Sequence, residues 1–527
     1  RYDLELLHFQ IKLRIRYCSR LPNFDDFQPY RWKNYGILDN CTNYGNVTET
    51  SPYGGSGGYH LVGGVVGYME GSITNTTNYG NVTWAGNNEK SSSTPKIGGV
   101  AGFIGQECSN NVNYGTIHTE GVCGNASTTY ASGVAGCYWA SAGGIAGQVG
   151  DGLVKDECFI KDCNNYGEVD AHHGMTLTAG SGNACGGVAG FAYAKATNCH
   201  NYNNVSFYTN DKTTRFGGCF GRADSEVNNC TNNAPLIFSY DCSLNTSTSN
   251  PSSVYGGGVV GFLNGTLIES CVNNGDFDFT SAQSNIYKSV LFIGGVVGTS
   301  YTKNTTVSKC TNNNKVSVSG ESSDEKASHV AGIIGYYDNA KLNILDCTLN
   351  GDVIIDLKGF LNAGGLAASQ YGNCVGNTIK CNIVFKNALA GSYVGGFSGY
   401  FSPYADGGEV SGNSFKGNIE IIDCASDVLC GGAFGRIARA GVISDMTLES
   451  TITTNNGVKA GFIAGGWYAD TADFTIGTEG HPVTIKSTIN GVANPAVPTF
   501  ETMLGDPLTN KPTAESGGMS FVNYVAL

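Results

Sequence analysis

Cysteine, asparagine and tyrosine recur in this sequence at a fixed spacing, and each set has a chemistry of its own. Cys41, Cys163, Cys199, Cys230, Cys271, Cys310 and Cys347 each stand six residues before an apolar residue. Thiols stacked one per repeat would lie about 4.8 Å apart. That is within disulfide range, but stacked side chains point alike, which is poor geometry for bonding. Cysteine also packs as a small hydrophobe. The column therefore reads as a buried stack of thiols. There is no CxxC pair and no His at ligand spacing, so no metal site is assigned. Cys123, Cys137 and Cys158, in or near the longest inter-repeat segment, are the better disulfide candidates in an oxidising compartment.

Two residues after the cysteine position stand Asn43, Asn78, Asn113, Asn165, Asn201, Asn232, Asn273 and Asn312. Stacked amides hydrogen-bond from one layer to the next. One residue further on are Tyr44, Tyr79, Tyr114, Tyr166 and Tyr202, followed in later repeats by Asn233, Asn274, Asn313 and Asn350. Rings lying flat beside a tight turn could bind a sugar chain through their faces. They could equally stabilise the repeat by stacking on one another. Carboxylates form no such column. Asp151, Asp156 and Asp162 gather in the longest inter-repeat segment, and the His172–His173 pair reads as solvated histidines in a loop.

What positions these columns is a repeat. The stretch from Gly257 to Phe277, GGVVGFLNGTLIESCVNNGDF, has close copies along the chain. A GGxxG element begins near residues 63, 98, 143, 186, 217, 257, 294, 331, 364, 395, 431 and 460. A second register is apolar throughout: Val47, Val82, Ile117, Val169, Val205, Leu236, Phe277, Val316, Val353, Ile383, Ile419 and Ile452. Two registers in step over twelve units define a solenoid. No stretch sustains the apolar period of a helix. The fold class is therefore all-β, a parallel β-helix of about twelve three-stranded coils with variable corner loops. In the Gly257 copy the strands would be 257–262, 266–271 and 276–280. The glycine pair would allow close approach of layers, and Asn274–Gly275 would supply the corner. The segment between Ile117 and Val169 contains SGVAG at 132–136, either an insertion or a degenerate coil.

Residues 1–33 lie outside the repeat, and Phe9, Ile11, Leu13, Ile15 and Tyr17 alternate with polar residues there, as in a capping strand. Residues 34–490 form the solenoid. Residues 491–527, with Pro495, Pro498, Pro507 and Pro512, read as a tail or linker that could return as a strand after 519.

A net charge of −13, with 30 Lys and Arg against 43 Asp and Glu, argues against nucleic acid. The longest apolar run, near 289–298, is too short to span a bilayer. The chain opens on Arg1 rather than Met, which suggests a longer precursor. Nucleotide and zinc-protease motifs are absent: there is no GxxxxGK[ST] or HExxH. No cofactor is expected.

The block GGVVGYMEGSITNTTNYGNV at 63–82 resembles the GLUG repeat, and the resemblance extends over roughly 40–455. Gly64, Gly67, Gly71, Ile73, Asn75, Gly80 and Val82 carry it in one unit, and Gly258, Gly261, Gly265, Leu267, Cys271, Gly275 and Phe277 in another. The departures are Cys or Thr where the family often has Ser or Tyr, and longer loops. The resemblance implies a secreted or cell-surface microbial protein with a structural or adhesive role, and it carries no catalytic residues. The expected partners are a glycan or a cell-surface protein, or further copies of the chain through the coil ends. The expected binding residues are Tyr44, Tyr79, Tyr114, Tyr166 and Tyr202. The alternatives are a polysaccharide-active lyase or hydrolase on a β-helix, which would need carboxylates converging from adjacent coils, and a filament subunit.

Overall fold

The structure is a computed structural model that describes residues 36–49, 59–88, 94–123, 141–150, 158–174, 182–210, 213–242, 253–283, 288–302, 304–337, 341–402, 408–439, 441–455, 457–467, 474–506 and 519–527. It is a parallel β-solenoid. The expected capping strand at 1–33 lies outside the described residues.

The Gly257 coil shows how the repeat folds. It has strands Ser253–Gly257, Val260–Leu263, Leu267–Glu269, Val272–Asn273 and Phe277–Gln283. Successive coils stack these into sheets of 12, 13 and 14 strands, plus a 25-stranded sheet that takes the last two segments of each coil. The coil thus has five short segments, and the strand expected over 257–262 is split. The glycine pair is a bend between two sheets, not part of a strand interior.

Close packing of layers explains that bend. A Cβ on Gly258 would stand 1.9 Å from the Gly295 carbonyl oxygen and 2.6 Å from Cγ of Asn273. The second glycine of the pair meets the asparagine column in the same way at Gly64, Gly99, Gly144, Gly187, Gly218 and Gly295. The glycine and asparagine columns are therefore two sides of one fit: the amide fills the space that a side chain on the bend would need.

Both registers of the repeat appear as strand registers. Gly217 pairs with Gly257 and Gly257 with Gly294. Val47 pairs with Val82, and the apolar register runs tier by tier to Ile419 opposite Ile452. These side chains join one continuous core along the rod. At roughly 4.8 Å per tier, thirteen tiers span about 60 Å.

The linker between the 14- and 25-stranded sheets is short and uniform. A residue with positive φ stands there in most coils, such as Asn75 (51°), Asn198 (54°) and Asp346 (53°). Chain length varies at two corners instead: before the 12-stranded sheet, as expected, and also after the 13-stranded one. Between 117–123 and 141–143 the chain stays within one coil, because Ser141–Gly143 pairs directly with the preceding Thr94–Gly98 strand. The SGVAG stretch at 132–136 lies outside the described residues. Beyond 490, Leu504–Asp506, Met519–Phe521 and Tyr524–Ala526 each join the stack, so these parts of the expected tail lie in the sheets.

Candidate functional site: the tyrosine column and the columns beside it

The turn between the two segments of the 25-stranded sheet positions all three columns. The cysteine precedes the short strand, the asparagine ends it, and the tyrosine follows on the outside.

The cysteines are inside. All fifteen described cysteines are buried free thiols, including Cys158. Cys163, Cys199, Cys230, Cys271, Cys310 and Cys347 occupy six consecutive tiers. No disulfide joins them: Cys310 Sγ lies 3.3 Å from Ser308 O and 3.7 Å from Ile268 O of the preceding coil, and Cys163 Sγ lies 3.8 Å from Cys108 Sγ. Burial pushes the Cys230, Cys271 and Cys347 thiols well up, so they are poor nucleophiles. The disulfide candidate Cys137 and the side chain of Cys123 lie outside the described residues.

The asparagines form a buried amide ladder. Asn78 Nδ2 donates to Asn113 Oδ1 at 2.8 Å, and the same bond repeats at 2.8–2.9 Å from Asn43 to Asn312. The second amide hydrogen goes to the carbonyl two residues on, as in Asn78 Nδ2 to Gly80 O at 2.7 Å. Each amide thus holds both its neighbouring tiers and its own turn.

The tyrosines are outside. Tyr44, Tyr79, Tyr114, Tyr166 and Tyr202 stack face to face, with centroids 4.7–5.0 Å apart and planes within 10°. Their exposure ranges from 39% at Tyr166 to 70% at Tyr44. The inner rings have a neighbour on both faces, so the column offers solvent its edges and phenol oxygens. The column continues as an exposed amide ladder, with Asn274 Nδ2 to Asn233 Oδ1 at 2.8 Å and onward to Asn350.

The acidic residues do not converge. Asp151 and Asp156 lie outside the described residues. Asp162 occupies a corner with positive φ and accepts from Asn198 Nδ2. In the paired strands the carboxylates face other residue types, as with Glu449 between Lys416 and Lys486. His172 belongs to strand Val169–Gly174 rather than a loop. There it shares Asp170 with His118, at 3.0 and 2.9 Å, and stacks on Tyr208. Among the described residues no group of three or more His, Cys, Asp or Glu could hold a metal ion, and no helix is long and apolar enough to cross a membrane.

A further feature escaped the sequence reading. The 12- and 13-stranded sheets meet at the glycine bend, and their outward side chains pack against each other across the angle. Tyr255 meets Phe262 edge-on at 5.1 Å, and the Arg215 guanidinium lies 5.1 Å from the Phe262 ring centre. Tyr255 and Phe292 form a small core apart from the main one. His329 packs between Phe292 and Tyr336 and bonds Ser369 Oγ at 3.2 Å. Burial lowers the pKa of His329 to about 3 and that of Arg215 to about 10. The signal was present: these residues stand two before and five after the first glycine position.

Fold and columns together define a β-solenoid repeat protein with polar and aromatic ladders. No family model, curated protein or solved structure matches the chain.

Proposed function

We propose that this chain is a non-catalytic structural or adhesive β-solenoid, secreted or held at a cell surface, that presents its loops to a glycan or protein partner. One observation carries the reading. Successive coils keep the same strand register, while the connection before the 12-stranded sheet ranges from one residue (Phe360) to seventeen (124–140). A rigid rod with variable connections along one edge suits recognition by loops on a fixed scaffold. The GLUG-like repeat supports the same reading by analogy. A strain lacking the protein should lose attachment or surface assembly. Normal attachment and assembly in that strain would refute the proposal.

A filament subunit is the second reading, and the last coil favours it. Val522 and Leu527 there are 59% and 68% exposed, and the strand at 524–526 pairs on one side only among the described residues. An edge of this kind accepts another strand. Electron microscopy of the purified chain distinguishes single rods from fibres.

A further inference from the structure

We propose that the tyrosine column is a site of oxidative cross-linking, where neighbouring phenols join as dityrosine under a peroxidase-class oxidant with hydrogen peroxide. The inference does not depend on the adhesive reading. It rests on four successive ring pairs, 44–79, 79–114, 114–166 and 166–202, each stacked at 4.7–5.0 Å and 2–10° from parallel. All five rings are exposed enough to meet an oxidant.

One-electron oxidation removes the phenolic hydrogen and leaves a radical shared between the oxygen and the two ortho carbons. Two radicals on adjacent rings combine through an ortho carbon of each, forming one C–C bond. The ortho hydrogen on each ring then moves to oxygen and restores the phenol. Two tyrosines and one hydrogen peroxide thus give one dityrosine and two waters. The coupled rings twist out of the parallel stack, for which exposed side chains at a turn have room. Because the fold already holds the rings together, coupling within the chain outruns coupling between chains in dilute solution.

The geometry also limits the seam. Beyond Tyr202 the same column carries Asn233, Asn274, Asn313 and Asn350, which cannot couple. Cross-linking would therefore staple only the first five tiers, closing chain loops of 35 to 52 residues between partners, the longest being Tyr114 to Tyr166. Such closure restricts the unfolded chain much as a disulfide does.

The test treats dilute purified chain with peroxidase and limiting hydrogen peroxide, then maps dityrosine by its fluorescence and by mass spectrometry of linked peptides. The expected products are intrachain links between column neighbours, each with the loss of two hydrogen atoms. A variant with all five tyrosines changed to phenylalanine keeps the stacked rings but cannot form phenoxyl radicals. It should stay folded by circular dichroism and lose most of the dityrosine, although its other tyrosines remain. Wild-type chain oxidised in urea should lose the neighbour preference. Unchanged dityrosine in the five-phenylalanine variant would overturn the proposal, as would links that map elsewhere or only between chains.

Discussion

The first eight coils and the last five solve the same packing position differently. From Asn43 to Asn312 an asparagine occupies it and hydrogen-bonds to its counterparts. From the ninth coil on the position holds Leu349, Ile379, Phe415, Leu448 and Ile485, all in the same register. The consequence is visible in the backbone. Where an amide ties down the carbonyl two residues on, the long sheet breaks into two segments. At Phe415 and Leu448 no such amide is present and single strands run Ser414–Ile422 and Met446–Thr454, although the coils of Leu349 and Ile379 stay split without one. The amide thus ties its own turn as well as filling the core.

The sharpest way to break this comparison is at the glycine bend. Gly258→Val would drive methyl groups into the Gly295 carbonyl and the Asn273 amide. It should cost more than about 4 kcal/mol and yield little folded protein. Gly432→Val in the apolar half meets Phe462 O at 2.2 Å but no side chain closer than Ser450 Oγ at 3.6 Å. It should be the milder of the two in urea unfolding. Equal losses would show that the layer spacing, not the amide ladder, demands the glycine.

Exchanging the two solutions is the next test. Asn232→Leu takes the partner from the Asn201 amide hydrogen and the side-chain donor from the Ala234 carbonyl, and leaves the Asn273 oxygen with only the Gly275 N–H. At about 1–3 kcal/mol per group it should lose roughly 3–5 kcal/mol in all. Ile379→Asn buries an amide beside Leu349 and Phe415 and should cost about as much. If Asn232→Leu proved neutral in thermal melts, the ladder would be filling space rather than bonding.

How much of this was legible beforehand depended on whether a column repeated. The glycine register, the apolar register and the Asn and Tyr columns were all readable, since each recurs with one residue type at one spacing. The segment count was not. A split strand over 257–262 follows from the approach of Gly295 in the next coil, a contact between residues far apart in sequence. The tyrosine column left two readings open for a related reason: stacking that closes the ring faces depends on the tier spacing, and a list of tyrosines does not show it. The outer angle around Tyr255, Arg215 and His329 stayed hidden because its residue types change from tier to tier while only their position repeats.

The halves should also differ in their response to acid. Amides have no proton to gain, but the first apolar-half coil contains His329, whose pKa burial lowers to about 3. Below the unfolded value near 6.5 the unfolded chain binds a proton that the folded chain refuses. Stability therefore falls as pH drops from about 6.5 toward 3, and the loss amounts to about 3 kcal/mol by pH 4. His329→Phe, which fits among Phe292 and Tyr336, should flatten this part of the stability–pH curve. An unchanged curve would place the acid sensitivity elsewhere.

The smallest effects belong to the outer column, where tyrosine gives way to asparagine. Tyr114→Ala removes two ring contacts, to Tyr79 and Tyr166, from a partly exposed site. Asn313→Ala removes two amide bonds, to Asn274 and Asn350, from an exposed one. Exposed hydrogen bonds compete with water, so the asparagine change should cost about 0.5 kcal/mol or less. Ring stacking adds to area burial, so the tyrosine change should cost about 1–2 kcal/mol. Chemical denaturation of both variants gives the ratio. If the two losses were equal, the tyrosines would contribute no more to the rod than the amides that replace them, and their confinement to five tiers would need a reason outside stability.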